Sequence, residues 1–408
     1  MNLLVPNLDF EDELAGRQVS RSAGTVQVLT DLAPLMGLLA GPGDMLLTDA
    51  AVDGPGRPDW LRYAEIPSVD LLTDAETQIV PWGWSDTVRQ LAARVGMPPE
   101  RIPPAHPVRQ VNGRNFSSRF DYVKAEDRSC RMPFGRQSFG TLCCDMGQWQ
   151  SAVQRLAAAG YHRWIAKPEH SHAGRNRLLA TGTSLNQQQQ AWLDRHLNSE
   201  TGVYVEPWVE RTEEAGLQFD IACPESGASA DDAEAGIRFL GATQLLNDRM
   251  GRFFGSVTAA DPYFENRWEG AIQHGLSVCR AARALGYFGP LGIDCFGFRT
   301  PGGREMTRFC NDINARFTMG RLALQLRSQL KTGELGAWCQ FATRRFSTFL
   351  ESMRKTLGQA EFCDVRAVVT SPLSVGGRPV CFGTVLLVAE ALDRLSQAAE
   401  TLKAVAAE

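Results

Sequence analysis

The chain has 408 residues and lacks several signatures that would assign it quickly. It has no C-x-x-C pair. Its ten cysteines are scattered, with only Cys143 and Cys144 adjacent. That excludes the usual zinc and dithiol motifs, and points to reduced thiols and a cytoplasmic setting rather than a disulfide framework. No apolar run approaches the ~20 residues of a membrane span. The first residues, Met1 to Asp9, lack the basic and apolar pattern of a leader. A net charge of −4 gives no electrostatic footprint for nucleic acid. There is no internal repeat, no low-complexity tract, and no Ser/His/Asp or Cys/His grouping that would activate a nucleophile. The remaining composition, 44% hydrophobic and 22% charged, is that of a globular chain long enough for two or three domains.

One stretch organises the rest. Residues 293–299 are rich in β-branched and aromatic side chains, Pro301-Gly302-Gly303 is a turn signal, and 306–313 return. A hairpin closed near Gly303 sets Asp312 opposite Asp294, with Cβ atoms about 5 Å apart. Asn314 and Arg316 follow on the same face. Two carboxylates and a carboxamide on one patch repel unless a hard cation lies between them. Oxygen ligands of this kind suit Mg²⁺, with phosphates in its other positions, and an arginine beside them can fork onto a phosphate. The plainer alternative is a solvated hairpin whose charges face water.

The run Asp312-x-Asn314-x-Arg316, preceded by Asp294, resembles the metal hairpin of the ATP-grasp superfamily, with Asp312 where Glu is commoner. Two further motifs follow the family's order. The segment from Trp164 to Lys167 resembles the strand that ends in a phosphate-binding lysine before a flap. Here the flap carries His170, Ser171, His172 and Gly174 rather than several glycines. The histidines read as polar phosphate contacts sooner than metal ligands, because no third ligand is within reach in the sequence. Val203 to Arg211 resembles the adenine hinge, which implies a main-chain contact at Glu206–Pro207 and another at Val209. Gln218 then stands at the ribose position that is usually Glu, with Glu210, Glu213 or Glu214 able to supply the missing carboxylate. Arg114 is the preferred match for an upstream phosphate contact, with Arg119 and Lys124 competing. Arg249 and Arg252 are candidates on the later loop, and Arg175 or Arg177 after the flap.

The resemblance implies an α/β protein, α+β in its nucleotide subdomains, with an ATP-grasp fold behind a small Rossmann-like domain. The expected division is 1–110, 111–202 and 203–408. Metal ligands would be Asp294, Asp312 and Asn314. Arg114, Lys167, His172, Glu206, Val209, Gln218 and Arg316 would hold ATP, and Lys167, Arg252 and Arg316 would serve the chemistry. Cofactors would be ATP and Mg²⁺, or Mn²⁺ in its place. The implied activity joins a small carboxylic acid, or an amino acid or peptide, to an amine through an acyl phosphate, releasing ADP and phosphate. Partners would be these small-molecule substrates, with a homodimer allowed and neither nucleic acid nor membrane involved. A small-molecule kinase and a non-catalytic ATP-binding regulator are the alternatives.

Periodicity places strands at 2–10 (running into a loop), 44–48, 78–81, 164–167, 238–244, 365–371 and 380–389, and a linker at 98–107. It places helices at 33–39, 85–95, 146–159, 266–285, 338–357 and 391–405, with another opening at Thr318.

Overall fold

The computed structural model describes residues 1–16, 22–48, 52–53, 62–64, 77–121, 123–125, 139–170, 176–197, 201–224, 236–248 and 251–407. It is the expected mixed helix-and-sheet protein. An N-terminal four-stranded sheet runs in the order Arg62–Ala64, Met45–Leu47, Asn2–Val5, Gln78–Pro81, all parallel. A second, antiparallel sheet has the order Thr141–Cys143, Val203–Pro207, Arg163–Pro168, Leu178–Thr181. The largest sheet has nine strands, and at its heart Glu210–Ile221 pairs with both Ile237–Asn247 and Gly289–Arg299. A small three-stranded sheet pairs Val52–Asp53 with Ser374–Val375, tying the N-terminal part to the far C-terminal hairpin.

The parallel sheet and the nine-stranded sheet share one continuous core. The antiparallel sheet has its own core, built on Trp149, Val153, Trp164 and Leu193. It is therefore a separate layer, and it shares a cavity with the hairpin that carries Asp294 and Asp312. Two strands fall otherwise than the expected division has them. Val203–Pro207 is hydrogen-bonded into the small antiparallel sheet, and Val123–Ala125 joins the edge of the nine-stranded one.

Several expectations are corrected. The first strand ends at Val5, and Phe10 opens a short helix, Phe10–Leu14. Phe10 is fully buried under Gly83, where any Cβ would lie 2.6 Å from its ring. The proline-rich 98–107 segment is not an extended linker. It folds into the helical turn Pro99–Arg101 and the helix Ala105–Val111. The helix Ala23–Leu32, capped by Ser22, has no expected counterpart. The largest difference is at 338–357, where Leu335–Ala342 is a strand and only Phe346–Leu357 is helical. Every residue from Leu335 to Phe341 is buried, because the strand lies inside the nine-stranded sheet between Phe253–Ala259 and Phe382–Ala389. A strand covered on both faces shows no alternation, so its apolar run reads like the start of the helix that follows.

One buried carboxylate fastens the helix Ala23–Leu32 to this sheet. Asp31, 1% exposed, accepts from the backbone N–H groups of Cys381 at 2.8 Å and Phe382 at 2.9 Å. Asp31→Ala orphans both donors and should cost about 2–4 kcal/mol. Chemical denaturation checks this, and a loss under ~1 kcal/mol would show that water or a shifted strand end satisfies them.

Candidate active site

The hairpin forms as its turn chemistry dictates. Gly303 takes φ +78°, and its N–H donates to the Thr300 carbonyl at 2.9 Å. The strands Gly289–Arg299 and Glu305–Asn314 pair from Arg299 with Glu305 to Phe296 with Arg308, and a register shift beyond Phe296 then sets Asp294 opposite Asp312 and Gly292 opposite Asn314. Asn314 Nδ2 lies 3.4 Å from Asp294 Oδ2. Burial, and then the Asp312 charge across the ladder, push the Asp294 carboxyl up to about 7. All three side chains line an open cavity of about 280 Å³. Among the described residues no three His, Cys, Asp or Glu side chains cluster as a metal site. The donor set here is instead two carboxylates and one carboxamide, hard oxygens that fit a cation sharing its shell with phosphate and water.

Cations face these oxygens. Lys167, near the end of Arg163–Pro168, lines the cavity and pairs with the Glu206 carboxylate. Burial would raise Glu206, but Arg308 and Lys167 outweigh it and hold the carboxyl at about 2. Burial pushes Lys167 down, with Glu206 opposing. Arg308, 1% exposed, forks onto Asp121 at 2.7 and 2.8 Å and reaches Glu206 at 2.9 Å. Tyr204 donates to the same Asp121 at 2.7 Å. Two cations and two carboxylates thus form one buried, charge-balanced cluster that joins the small sheet to the hairpin. Arg114 is buried, with Nη2 3.5 Å from Asp312 Oδ2. Its helix start is tied to the end of the lysine strand, since the Asn115 N–H donates to both Glu169 carboxylate oxygens, at 3.2 and 3.0 Å.

Glu206 therefore points its side chain into the buried cluster, not into the cavity. Pro207 still lies in the strand, and the Trp208 N–H donates to Arg163 O at 2.9 Å. Pro207 is tolerated because the neighbour Thr141–Cys143 pairs only with Val203–Val205. At this end the cavity wall is Trp208, while Val209 packs against the apolar clusters behind it. Gln218 is in the wall, buried, its Oε1 accepting from Thr318 at 2.8 Å. Glu214 is the nearby carboxylate that reaches the cavity, paired with Arg211. Arg177 also lines it, 5.6 Å from the Trp208 ring centre. Arg252 is exposed and outside the wall, and Arg119 is exposed. His170 lines the cavity, whereas His172, Arg175, Arg249 and most of the flap lie outside the described residues, as does the Lys124 side chain.

Arg316 is in the cavity wall with Asp294, Asp312 and Asn314. Its Nη1 donates to Phe317 O at 2.8 Å and its Nη2 to Asn314 Oδ1 at 3.0 Å, while Nε meets Glu11 of the N-terminal helix. Asn112 clamps the strand end, accepting from Ala315 N–H at 2.9 Å.

Sequence reasoning missed Arg308, Asp121 and Glu11. Arg308 carried a usable signal, being an arginine at an inward position of an apolar strand. Its partners are 102 and 187 residues away, which no local pattern joins. Arg308→Met leaves Asp121 and Glu206 buried without their main counter-charge. It should cost about 3–5 kcal/mol in a denaturation experiment, and a loss under ~1 kcal/mol would mean the cluster relaxes into water.

No family model matches the chain, and no curated protein matches it in sequence. Solved structures do match in architecture. N5-carboxyaminoimidazole synthetase from Staphylococcus aureus, complexed with ADP, is 10% identical with a TM-score of 0.55, over 98% of this chain and 96% of that one. N5-carboxyaminoimidazole ribonucleotide synthetase from Thermus thermophilus is 14% identical at 0.52, over 100% and 98%. Rhizobium etli pyruvate carboxylase is 13% identical at 0.53, over 97% of this chain and 36% of that longer one. The likeness to the two synthetases runs along nearly their whole length and takes in all the layers described above, and this chain accordingly has the ATP-grasp fold.

Proposed function

We propose that the protein is an ATP- and Mg²⁺-dependent ligase that joins a small carboxylic acid to an amine through an acyl phosphate, releasing ADP and phosphate. The observation that carries this reading is that Asp294, Asp312 and Asn314 share one cavity with Lys167 of the small sheet and with Arg114 beside Asp312. A polyphosphate with a divalent cation satisfies both the oxygens and the cations at once. Nothing nucleophilic on the chain is needed, because the substrates supply both the attacking oxygen and the attacking nitrogen. The ADP held by the Staphylococcus aureus synthetase supports the same choice of nucleotide.

In this mechanism Trp208, Ile165 and Phe296, which line the cavity, would hold the base and ribose, and Asp312 would face the phosphates. Lys167 exchanges Glu206 for phosphate oxygens, and Arg308 stays behind to keep Glu206 compensated. Bound by Asp294, Asp312 and Asn314, Mg²⁺ would neutralise the charge that builds on the transferring phosphoryl group. The substrate carboxylate forms the new bond to the γ-phosphorus as its bond to the β–γ bridging oxygen breaks. The amine then attacks the acyl carbon, loses a proton and expels phosphate. The expected division into 1–110, 111–202 and 203–408 belongs to this reading, with Val203–Pro207 moving with the small sheet. A cytoplasmic setting accords with free cysteines throughout the described residues. No described helix is long and apolar enough to cross a membrane. The homodimer is part of the proposal that sizing of the purified chain tests.

Asp312→Ala should lower ATP turnover at least ~100-fold with the fold intact, as expected for losing one strong electrostatic group. Near-normal phosphate release at saturating Mg²⁺ would remove the metal assignment.

The Asp294 carboxyl adds a pH test. Its folded value near 7 lies above its unfolded one, so without a cation its contribution to stability declines as pH rises from about 4 to 7. A cation must displace that proton below pH 7. Mg²⁺ affinity should therefore rise ~30-fold between pH 5.5 and 8, about tenfold per unit below the pKa. Thermal shift with Mg²⁺ and ADP reads this, and equal shifts at both pH values would contradict it.

A further inference from the structure

Among the residues lining the cavity, Glu11 and Arg316 form an ion pair, and Glu11 has no part in the nucleotide and metal reading. The guanidinium is fixed from behind by Phe317 O and Asn314 Oδ1, and it lies 5.7 Å from the Trp82 ring centre. Glu11 is 9% exposed and comes from a different part of the fold, the helix Phe10–Leu14. One turn on, Leu14 faces the same cavity. The place is thus walled by a fixed cation, a fixed anion and an apolar side chain, next to Asn314.

We infer that Glu11 and Arg316 are a recognition pair for a free α-amino acid, which enters as the carboxylate substrate. This rests on the ligase reading for its role, though not for its binding. A ligand carrying both charges replaces one ion pair by two and leaves no charge uncompensated. An acid without an ammonium group would be repelled by Glu11, and an amine without a carboxylate by Arg316. Arg316 directs the carboxylate to the side of Asn314, where the phosphoryl group would be transferred. Glu11 holds the ammonium in its protonated form. In that form the nitrogen has no lone pair to offer, so the bound amino acid acts as acyl donor and cannot attack a second copy of its own acyl phosphate. Leu14 stands where the amino-acid side chain would lie.

The test is calorimetry on the full chain with Mg²⁺ and a non-hydrolysable ATP analogue. The common α-amino acids are titrated beside their deaminated acids and decarboxylated amines. At least one amino acid should bind, with its deaminated and decarboxylated counterparts each at least tenfold weaker. Glu11→Gln should lose at least tenfold for that amino acid and nothing for the deaminated acid, while Glu11→Asp should retain part of the preference. The pair is overturned if no amino acid binds, if the deaminated acid binds as tightly, or if Glu11→Gln keeps the discrimination and merely melts earlier, as a domain latch would. Should Glu11→Gln not fold, the wild-type panel alone decides. Nucleotide binding without amino-acid discrimination overturns this pair and leaves the ligase. Discrimination without nucleotide binding upholds the pair and removes the ligase.

Discussion

Two carboxylates held face to face set the character of the cleft. Asp294 and Asp312 oppose each other because the hairpin register shifts between Phe296, which faces Arg308, and Asp294. A slip of one residue would turn Ile293 and Ile313, both buried, out of the core. Burial and proximity then raise the Asp294 carboxyl to about 7, a standing tension in the cation-free protein. The rest of the cleft answers it with Lys167 from the small sheet, Arg114 against Asp312 and Arg316 at the strand's end.

Arg114 lies against Asp312 at 3.5 Å, whereas Lys167 is held off the carboxylate pair. The buried cluster does the holding. Glu206 engages Lys167, Arg308 engages Glu206, and Asp121 engages Arg308. Its members come from the small sheet, the loop before Val123–Ala125 and the hairpin, so the same contacts that balance charge also fix the spacing of the two sheets. Asn112 and Glu11 fix the other end, where the strand leaves the hairpin toward the N-terminal layer. In the proposed ligase these contacts position the acid beside the phosphate site.

What can be read from the sequence is local. The hairpin, its turn at Gly303, the lysine strand and the helix starts at Ser85 and Thr318 all rest on spacing within about a dozen residues. Leu335–Ala342 escapes such a reading because a strand buried on both faces carries no period. Glu206 illustrates another limit. Its place at a strand end is visible, but the direction of its side chain depends on Arg308, which local pattern cannot bring to it. Glu11 is hidden for the same reason, since its partner Arg316 lies in another layer of the fold.

The central claim is that these oxygens and cations jointly hold a metal–nucleotide. The most direct measurement is a crystal structure with a non-hydrolysable ATP analogue and Mn²⁺, located by anomalous scattering. The account expects a Mn²⁺ peak among Asp294, Asp312 and Asn314, with the phosphates running to Lys167 and Arg114 and Glu206 released from the lysine. A nucleotide bound elsewhere, or one bound here with no metal between the carboxylates, would contradict it.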